Sequence, residues 1–106
     1  MSFVVVYITH PNMDEAKRVV SHLLGKRLIA CANFFPIESM YWWEGKVETG
    51  CEVVSVVKTG KANWRKLKAE VEKIHTYKVP CIVRLEAEAN RGYEDWIMKE
   101  TKGFKA

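Results

Sequence analysis

The sequence has little glycine and proline and no low-complexity segment. It contains six Gly and three Pro among 106 residues, a composition that excludes collagen-like chains and disfavours disordered ones. The longest apolar run starts near the N-terminus and ends before His10, far short of the roughly 20 residues that cross a membrane. No basic stretch precedes that run, as one does in a signal peptide. We therefore predict a soluble protein that is not exported and has no membrane partner.

Closely paired cysteines are also missing. Cys31, Cys51 and Cys81 form an odd set without a C-x-x-C pair, which argues against a disulfide framework. Each of them lies among β-branched or small apolar residues, and this environment favours buried, reduced thiols over a soft-metal site. We therefore expect the three thiols to pack in the core of a cytoplasmic protein.

The motifs of common enzyme classes are missing. The chain contains no G-x-S-x-G, no P-loop, no G-x-G-x-x-G and no H-E-x-x-H, and no Ser or Cys stands beside an identifiable base. We therefore predict that the protein is not an enzyme.

The charge balance is moderately basic. With 17 Lys and Arg against 13 Asp and Glu, the net charge is +4, which allows a nucleic-acid surface. However, both signs alternate along predicted helices, as in the segment 66–73, and such mixing is typical of a solvated helix face. We predict no nucleic-acid partner.

Hydrophobic periodicity predicts one small α+β domain over residues 1–106. The apolar run Phe3 to Thr9 is typical of a buried strand, and Asn12 with Glu15 resembles the start of an amphipathic helix. Two long strands follow, Leu28 to Trp43 and Val47 to Lys58, joined by a tight turn at residues 44–46. Pro36 interrupts the first of these strands, where we expect a bend or bulge.

The second half of the chain repeats the pattern. Apolar residues at spacings of three and four predict a helix from Trp64 to Ile74. After Pro80, alternating residues with Val83 and Leu85 on the apolar side predict a half-buried strand, and a short helix around Trp96 ends the chain. The order βαββαβα fits a ferredoxin-like sandwich, in which helices cover one face of a four-stranded antiparallel sheet.

Three consecutive aromatic residues, Tyr41, Trp42 and Trp43, stand at the predicted hairpin tip. Neighbouring strand residues face opposite sides, so the three rings cannot all point into one core. A subunit interface would cover them, and we predict a homo-oligomer. The alternative is a small second core in which Trp96 of the last helix meets one of these rings.

A few polar residues are candidates for binding chemistry. His75 ends a helix and could hold Cu²⁺ or another divalent cation, with Glu48, Glu52 or a neighbouring chain supplying oxygen ligands. A histidine there also interacts well with the helix dipole, which is the structural alternative. We expect His10 and His22 to be surface residues.

A second candidate site is a cleft between subunits. Lys58, Tyr77 and Lys78, with the aromatic tip, could line such a cleft and bind a small anion. The alternative is that these groups only form hydrogen bonds at the interface.

Several stretches resemble the CutA divalent-cation-tolerance family. They run in the family's order and are Ala30-Cys31-Ala32-Asn33, Tyr41-Trp42-Trp43-Glu44-Gly45-Lys46, Lys58-Thr59, His75-Thr76-Tyr77-Lys78-Val79-Pro80 and Tyr93-Glu94-Asp95-Trp96-Ile97. The resemblance implies a ferredoxin-like homotrimer, similar in architecture to PII-type signalling proteins, with hairpins that pair between subunits. It also implies a role in tolerance to divalent metals, copper especially.

The resemblance transfers metal ligands only in part. Bacterial members described as copper-binding have a Cys in the first strand and two adjacent His residues. The matching positions here are Ile8, Ile74 and His75. The resemblance therefore carries over one metal ligand, His75.

Overall fold

A computed structural model describes residues 3–102 of the chain. Seven main elements follow one another, with a short 3-10 turn, Lys61–Asn63, before the second helix: β1 (Phe3–His10), α1 (Met13–Gly25), β2 (Cys31–Trp43), β3 (Lys46–Gly60), α2 (Trp64–Ile74), β4 (Ile82–Ala87) and α3 (Arg91–Lys102). The predicted order βαββαβα is confirmed. No helix within these residues combines the length and the apolar character needed to cross a membrane.

The four strands form one antiparallel sheet in the order β2-β3-β1-β4. In the centre of the sheet, Val6 pairs with Val57 on one side and with Arg84 on the other. Residues of α1 and α2 pack against one face of this sheet, which we call the core face, and form the hydrophobic core. This arrangement confirms the predicted α+β, ferredoxin-like sandwich.

The start of α1 follows the predicted capping pattern. The Asn12 side chain accepts a hydrogen bond from the backbone N–H of Glu15 at 2.8 Å, which satisfies one of the free donors of the first turn. Asp14 and Glu15 place negative charge at the positive end of the helix dipole. The apolar stripe of α1 is buried against the sheet and consists of Ala16, Val19, Val20 and Leu23.

A long hairpin arm, β2 with β3, extends beyond the helices. Glu44 and Gly45 connect the strands with φ angles of 50° and 82°, as a two-residue turn with the twist of the strands requires. The register runs unbroken along the arm, and Pro36 simply pairs with Val53. The unbroken register excludes the expected bulge at Pro36, and the alternative of a bend stays a prediction. An edge strand such as β2 tolerates the missing N–H of proline.

In β4, the side that faces the helices is not the apolar side that the sequence indicates. Its register with β1 turns Ile82 and Arg84 towards the core face, where Arg84 lies 5.8 Å from the centre of the Trp64 ring. The apolar residues Val83 and Leu85 point to the other face and are 45% and 53% exposed. We call this other side of the sheet the second face.

Two segments cover the ends of the second face. At one end, α3 packs against the sheet, with the Tyr93 ring 6.4 Å from the ring of Phe3 and the Tyr93 hydroxyl 3.3 Å from the Cys31 sulfur. At the other end, the loop after α2 contributes Tyr77, whose hydroxyl contacts Glu52 of β3. Between these ends lie exposed apolar residues such as Phe35, which is 42% exposed.

Candidate functional site

A cleft of about 710 Å³ opens on the second face, beside the base of the hairpin arm. Residues from β1, β2, β3 and the loop after α2 line it: Tyr7, Thr9, Ile37, Glu38, Ser39, Met40, Tyr41, Trp43, Glu52, Tyr77, Lys78, Val79 and Cys81. Its volume is that of a small-molecule site, for which about 300 to 1,000 Å³ is usual.

Strand alternation explains most of this lining. Side chains two residues apart share one face of a sheet, so Ile37, Ser39 and Tyr41 of β2 stand in a row above the second face. Ile37 pairs with Glu52 across the hairpin, which brings a carboxylate to the floor of the cleft. The loop after α2 then closes the wall opposite the hairpin.

His75 fixes the position of that wall. It forms the C-cap of α2, and its Nε2 donates a hydrogen bond to the backbone oxygen of Thr9 at 2.7 Å. Its Nδ1 accepts a hydrogen bond from the backbone N–H of Tyr77 at 3.0 Å. The backbone N–H of Tyr77 can only donate, so Nδ1 is the accepting nitrogen and Nε2 carries the hydrogen. Both nitrogens of His75 therefore have partners within the chain.

His10 lies behind this wall and is not a surface residue. It is 0% exposed, which overturns the sequence-based expectation, and its Nε2 lies 2.7 Å from the hydroxyl oxygen of Ser55. Its Nδ1 has no hydrogen-bond partner among the described residues. Its ring stacks on His75 at 5.4 Å. Burial, and then the charge of His75, lower the pKa of His10 to about 4.

His22 is also more enclosed than expected. Its Nε2 lies 2.6 Å from a carboxylate oxygen of Glu70, so it links α1 to α2 from a half-buried position. The polar side of α1 predicted by the sequence is therefore partly an interhelical contact.

The residues at the family's copper-ligand positions do not form a metal site within one chain. Ile8 belongs to the buried core, and Ile74 packs against that core. His75 has both nitrogens engaged. Within residues 3–101, no group of three or more His, Cys, Asp or Glu side chains is arranged to hold a metal ion. His75 as a metal ligand stays a prediction.

Tyr77 and Glu52 form the central polar contact of the cleft. The Tyr77 hydroxyl donates to a Glu52 carboxylate oxygen at 2.6 Å. Burial, and then this hydrogen bond and the charge of Glu52, raise the pKa of Tyr77 above its ordinary value. The tyrosine therefore stays protonated and acts as a donor to the carboxylate.

The structure brings together only part of the predicted cleft. Tyr41, Trp43, Tyr77 and Lys78 all line it. Lys58 of the same chain does not line it, because its register with Val5 and Cys31 places it at the α3 end of the second face, where its ammonium group donates to the side-chain oxygen of Asn33. The anion site was predicted between subunits, and it stays a prediction.

The other two predicted aromatics lie elsewhere. Trp42 is 75% exposed and follows Tyr41 in the strand, so it points to the opposite side of the arm. Trp96 stacks on Tyr93 at 5.7 Å, and Tyr93 contacts Cys31. Ten strand residues, about 33 Å, separate Cys31 from Tyr41. The alternative of a second core that joins Trp96 to the aromatic tip is therefore wrong within one chain.

The cysteines do not share one environment. Cys31 and Cys81 are half-buried and Cys51 is exposed, so the expectation of core burial is wrong for Cys51. Cys51 lies on the part of the hairpin arm that extends past the helices. Burial raises the pKa of the Cys81 thiol, which lines the cleft.

Tyr7 lines the cleft although its sequence context did not predict it there. The available signal was its position in β1, since alternate residues of a central strand reach both faces of the sheet. Because β1 is apolar along most of its length, its sequence does not indicate which of its residues face a cleft.

The sequence is similar to the sequences of one protein family. Residues 4–100 match the family model described as "CutA1 divalent ion tolerance protein". The "divalent-cation tolerance protein CutA" of Pyrococcus horikoshii is 42% identical over 100 residues, which are 93% of this chain and 98% of that protein. The protein of the same name from Archaeoglobus fulgidus is 42% identical over 93 residues, 87% of this chain and 91% of that one.

Solved structures of CutA proteins also superpose closely on the chain. Rice CutA1 superposes with a TM-score of 0.92 at 36% identity, covering 97% of this chain and 96% of that one. The structure of an Archaeoglobus fulgidus protein, described as a periplasmic divalent cation tolerance protein CutA, has a TM-score of 0.90 at 39% identity, covering 93% of this chain and 98% of that one.

Proposed function

Because the chain belongs to the CutA1 divalent ion tolerance protein family, we propose that it acts in tolerance to divalent cations, copper foremost, as a homotrimer. The proposal includes a cytoplasmic location and a role without catalysis. The family supports the link to divalent cations. The odd number of cysteines, without a C-x-x-C pair, supports the cytoplasmic location. The missing enzyme motifs support a role without catalysis.

The exposed second face is the observation that supports assembly. Phe35, Val83 and Leu85 stand in water on this face of a single chain, although burying one such side chain contributes about 1.5 to 3 kcal/mol. The strands β2 and β4 are also free edges of the sheet, and such edges pair readily with other chains. Packing the second face and the edges against further copies would remove both the exposed apolar surface and the free edges, and the family resemblance supports three copies.

Copper binding at His75 would require a change in the wall of the cleft. A metal needs the lone pair of a ring nitrogen, and the lone pair of Nδ1 accepts the backbone N–H of Tyr77. We therefore expect copper binding at His75 to break that hydrogen bond and to move the loop after α2. The remaining ligands would come from more than one chain, since the described part of one chain offers no complete set.

Calorimetric titration with Cu²⁺ tests the copper part. We expect saturable binding by the wild type, at least about tenfold weaker binding by His75→Ala, and no such loss in the control His22→Ala. Equal binding of Cu²⁺ by all three proteins would show that His75 is not a copper ligand. Absence of saturable binding by the wild type would contradict the copper proposal itself.

A second candidate function uses the cleft. Four ring-bearing or charged residues that the sequence singled out meet there, which favours a trimeric scaffold or signalling protein with a small ligand or a partner protein at the cleft. Thermal denaturation with candidate metabolites tests it, because a ligand that binds the folded state raises the melting temperature. No rise with any small metabolite would count against this alternative.

A further inference from the structure

One carboxylate in the cleft lacks a charged partner. Glu52 is half-buried, and its only hydrogen bond within the described residues comes from the neutral hydroxyl of Tyr77. Among the other half-buried glutamates of the described residues, Glu15, Glu70 and Glu100 each form an ion pair, and Glu94 accepts the backbone N–H of Ala89. Partly desolvating a charge is unfavourable unless an opposite charge compensates it. Glu52 therefore presents an uncompensated negative charge to the cleft.

The rest of the lining suits an organic cation. Four aromatic side chains surround the space, Tyr7, Tyr41, Trp43 and Tyr77, and the faces of aromatic rings attract positive charge. Ile37 and Val79 add apolar surface, which can pack against an alkyl chain. A hydrated metal ion would gain nothing from these rings and apolar groups.

The sign of the charge also follows from the lining. The half-buried charge of the lining is the carboxylate of Glu52, whereas Glu38, which alternates to the other side of the arm, is exposed. Lys78 is exposed, and its long stem allows the charge to lie in water. The field in the cleft is therefore negative.

We propose that this cleft binds a small organic cation, an alkylammonium or alkylguanidinium compound, with Glu52 as its counter-ion. The carboxylate oxygen that accepts the Tyr77 hydroxyl keeps a second lone pair, so Glu52 accepts N–H donors of the ligand without losing that bond. Tyr77 thus holds the carboxylate in place, and the rings contact the planar or alkyl part of the ligand. The proposal does not depend on copper, and it requires the cleft to stay open where the rest of the second face packs against further copies, as the proposed trimer implies.

The test compares two small compounds of the same shape, n-butylguanidinium and the uncharged n-butylurea. Binding to the full chain is followed by NMR through the indole N–H signals of the four tryptophans. Trp43 lines the cleft, whereas Trp42, Trp64 and Trp96 do not. We expect n-butylguanidinium to shift the Trp43 signal saturably with a Kd of about a few millimolar, as suits so small a ligand. We expect n-butylurea to bind at least about tenfold more weakly, since it lacks the charge.

Two variants test whether the carboxylate of Glu52 causes the stronger binding of n-butylguanidinium. Glu52→Gln keeps an acceptor for the Tyr77 hydroxyl but removes the charge, and it should weaken n-butylguanidinium binding about tenfold or more. Glu72→Gln is the control, because Glu72 is an exposed residue of α2 outside the cleft, and it should leave the Kd unchanged.

Several results would overturn the proposal. These are no saturable shift of Trp43, equal binding of the two compounds, tighter binding of the small anion succinate, or equal weakening by both variants. A fall in molecular mass on adding n-butylguanidinium would also overturn it, because a basic side chain of a second copy would then occupy the cleft. None of these results depends on copper binding, so they separate this proposal from the function proposed above.

Discussion

The buried His10 makes the stability of the protein depend on pH. In the folded chain, burial and then the charge of His75 hold the pKa of His10 at about 4, against 6.5 for a free histidine. Unfolding exposes the ring to water, so between these two values the unfolded chain binds a proton that the folded chain does not. The free energy of unfolding therefore falls as the pH drops below 6.5, and the fall levels off below about pH 4.

The size of the effect follows from the two pKa values. Each pH unit between them costs about 1.4 kcal/mol, so lowering the pH from 7 to 4.5 should cost about 2 to 3 kcal/mol through His10. The charged groups around the ring are those of Glu15, Arg18, Glu52 and His75. The carboxylates favour the protonated ring, but burial, His75 and Arg18 outweigh them.

Urea denaturation at pH 7 and pH 4.5, at one protein concentration, measures this loss. His10→Gln keeps a nitrogen donor near the Ser55 hydroxyl but cannot titrate, so its loss between the two pH values should be about 2 to 3 kcal/mol smaller than that of the wild type. The control His22→Gln should retain the full loss, because it leaves His10 in place. Equal losses in the wild type and His10→Gln would refute the reasoning.

Three further predictions concern the hairpin, the cleft and the second face. Gly45→Ala should destabilise the fold by about 1 kcal/mol in thermal denaturation, because the φ angle of 82° strains any residue with a Cβ; the control Gly50→Ala has open space around it. Tyr77→Phe should lower the free energy of unfolding by about 1 kcal/mol through loss of the bond to Glu52. Leu85→Glu should lower the molecular mass in light scattering, because it puts a charge on the second face, while the circular dichroism of the fold persists.

Each of these predictions has a contrary result. A Gly50→Ala variant as unstable as Gly45→Ala would show that the turn geometry is not the cause. A Tyr77→Phe variant as stable as the wild type would mean that the contact with Glu52 contributes nothing to folding. An unchanged mass for Leu85→Glu would place the subunit interface elsewhere.

Local signals in the sequence predicted most of the fold. The cap at Asn12, the turn at residues 44–46 and the helical spacing from Trp64 to Ile74 depend on neighbours within a few residues, and all three are confirmed. Such features are decided by backbone geometry and short-range hydrogen bonds. The sequence shows them directly.

The errors concern which face of the sheet is covered, and that depends on distant parts of the chain. Val83 and Leu85 form the apolar side of β4, yet the register with β1 turns them away from α1 and α2. His10 ends a buried strand, but it stacks on His75, which lies 65 positions later in the sequence. Alternation alone cannot tell which side of a strand the helices cover.

The cleft could be predicted only in part for the same reason. Tyr41, Trp43 and Tyr77 stand in recognisable motifs, so the sequence singled them out. Tyr7 reaches the cleft because three strands and a loop converge, and Lys58 lies outside it because its register with Val5 and Cys31 places it at the other end of the second face. Neither position can be inferred from the neighbouring residues in the sequence.

Assembly is the central claim of the proposed function, and the mass of the native protein tests it most directly. Native mass spectrometry of protein purified without an affinity tag or a chelator should give three times 12.3 kDa, about 37 kDa. A mass of 12.3 kDa at micromolar concentration would contradict the claim, because the apolar residues of the second face would then stay in water without a partner.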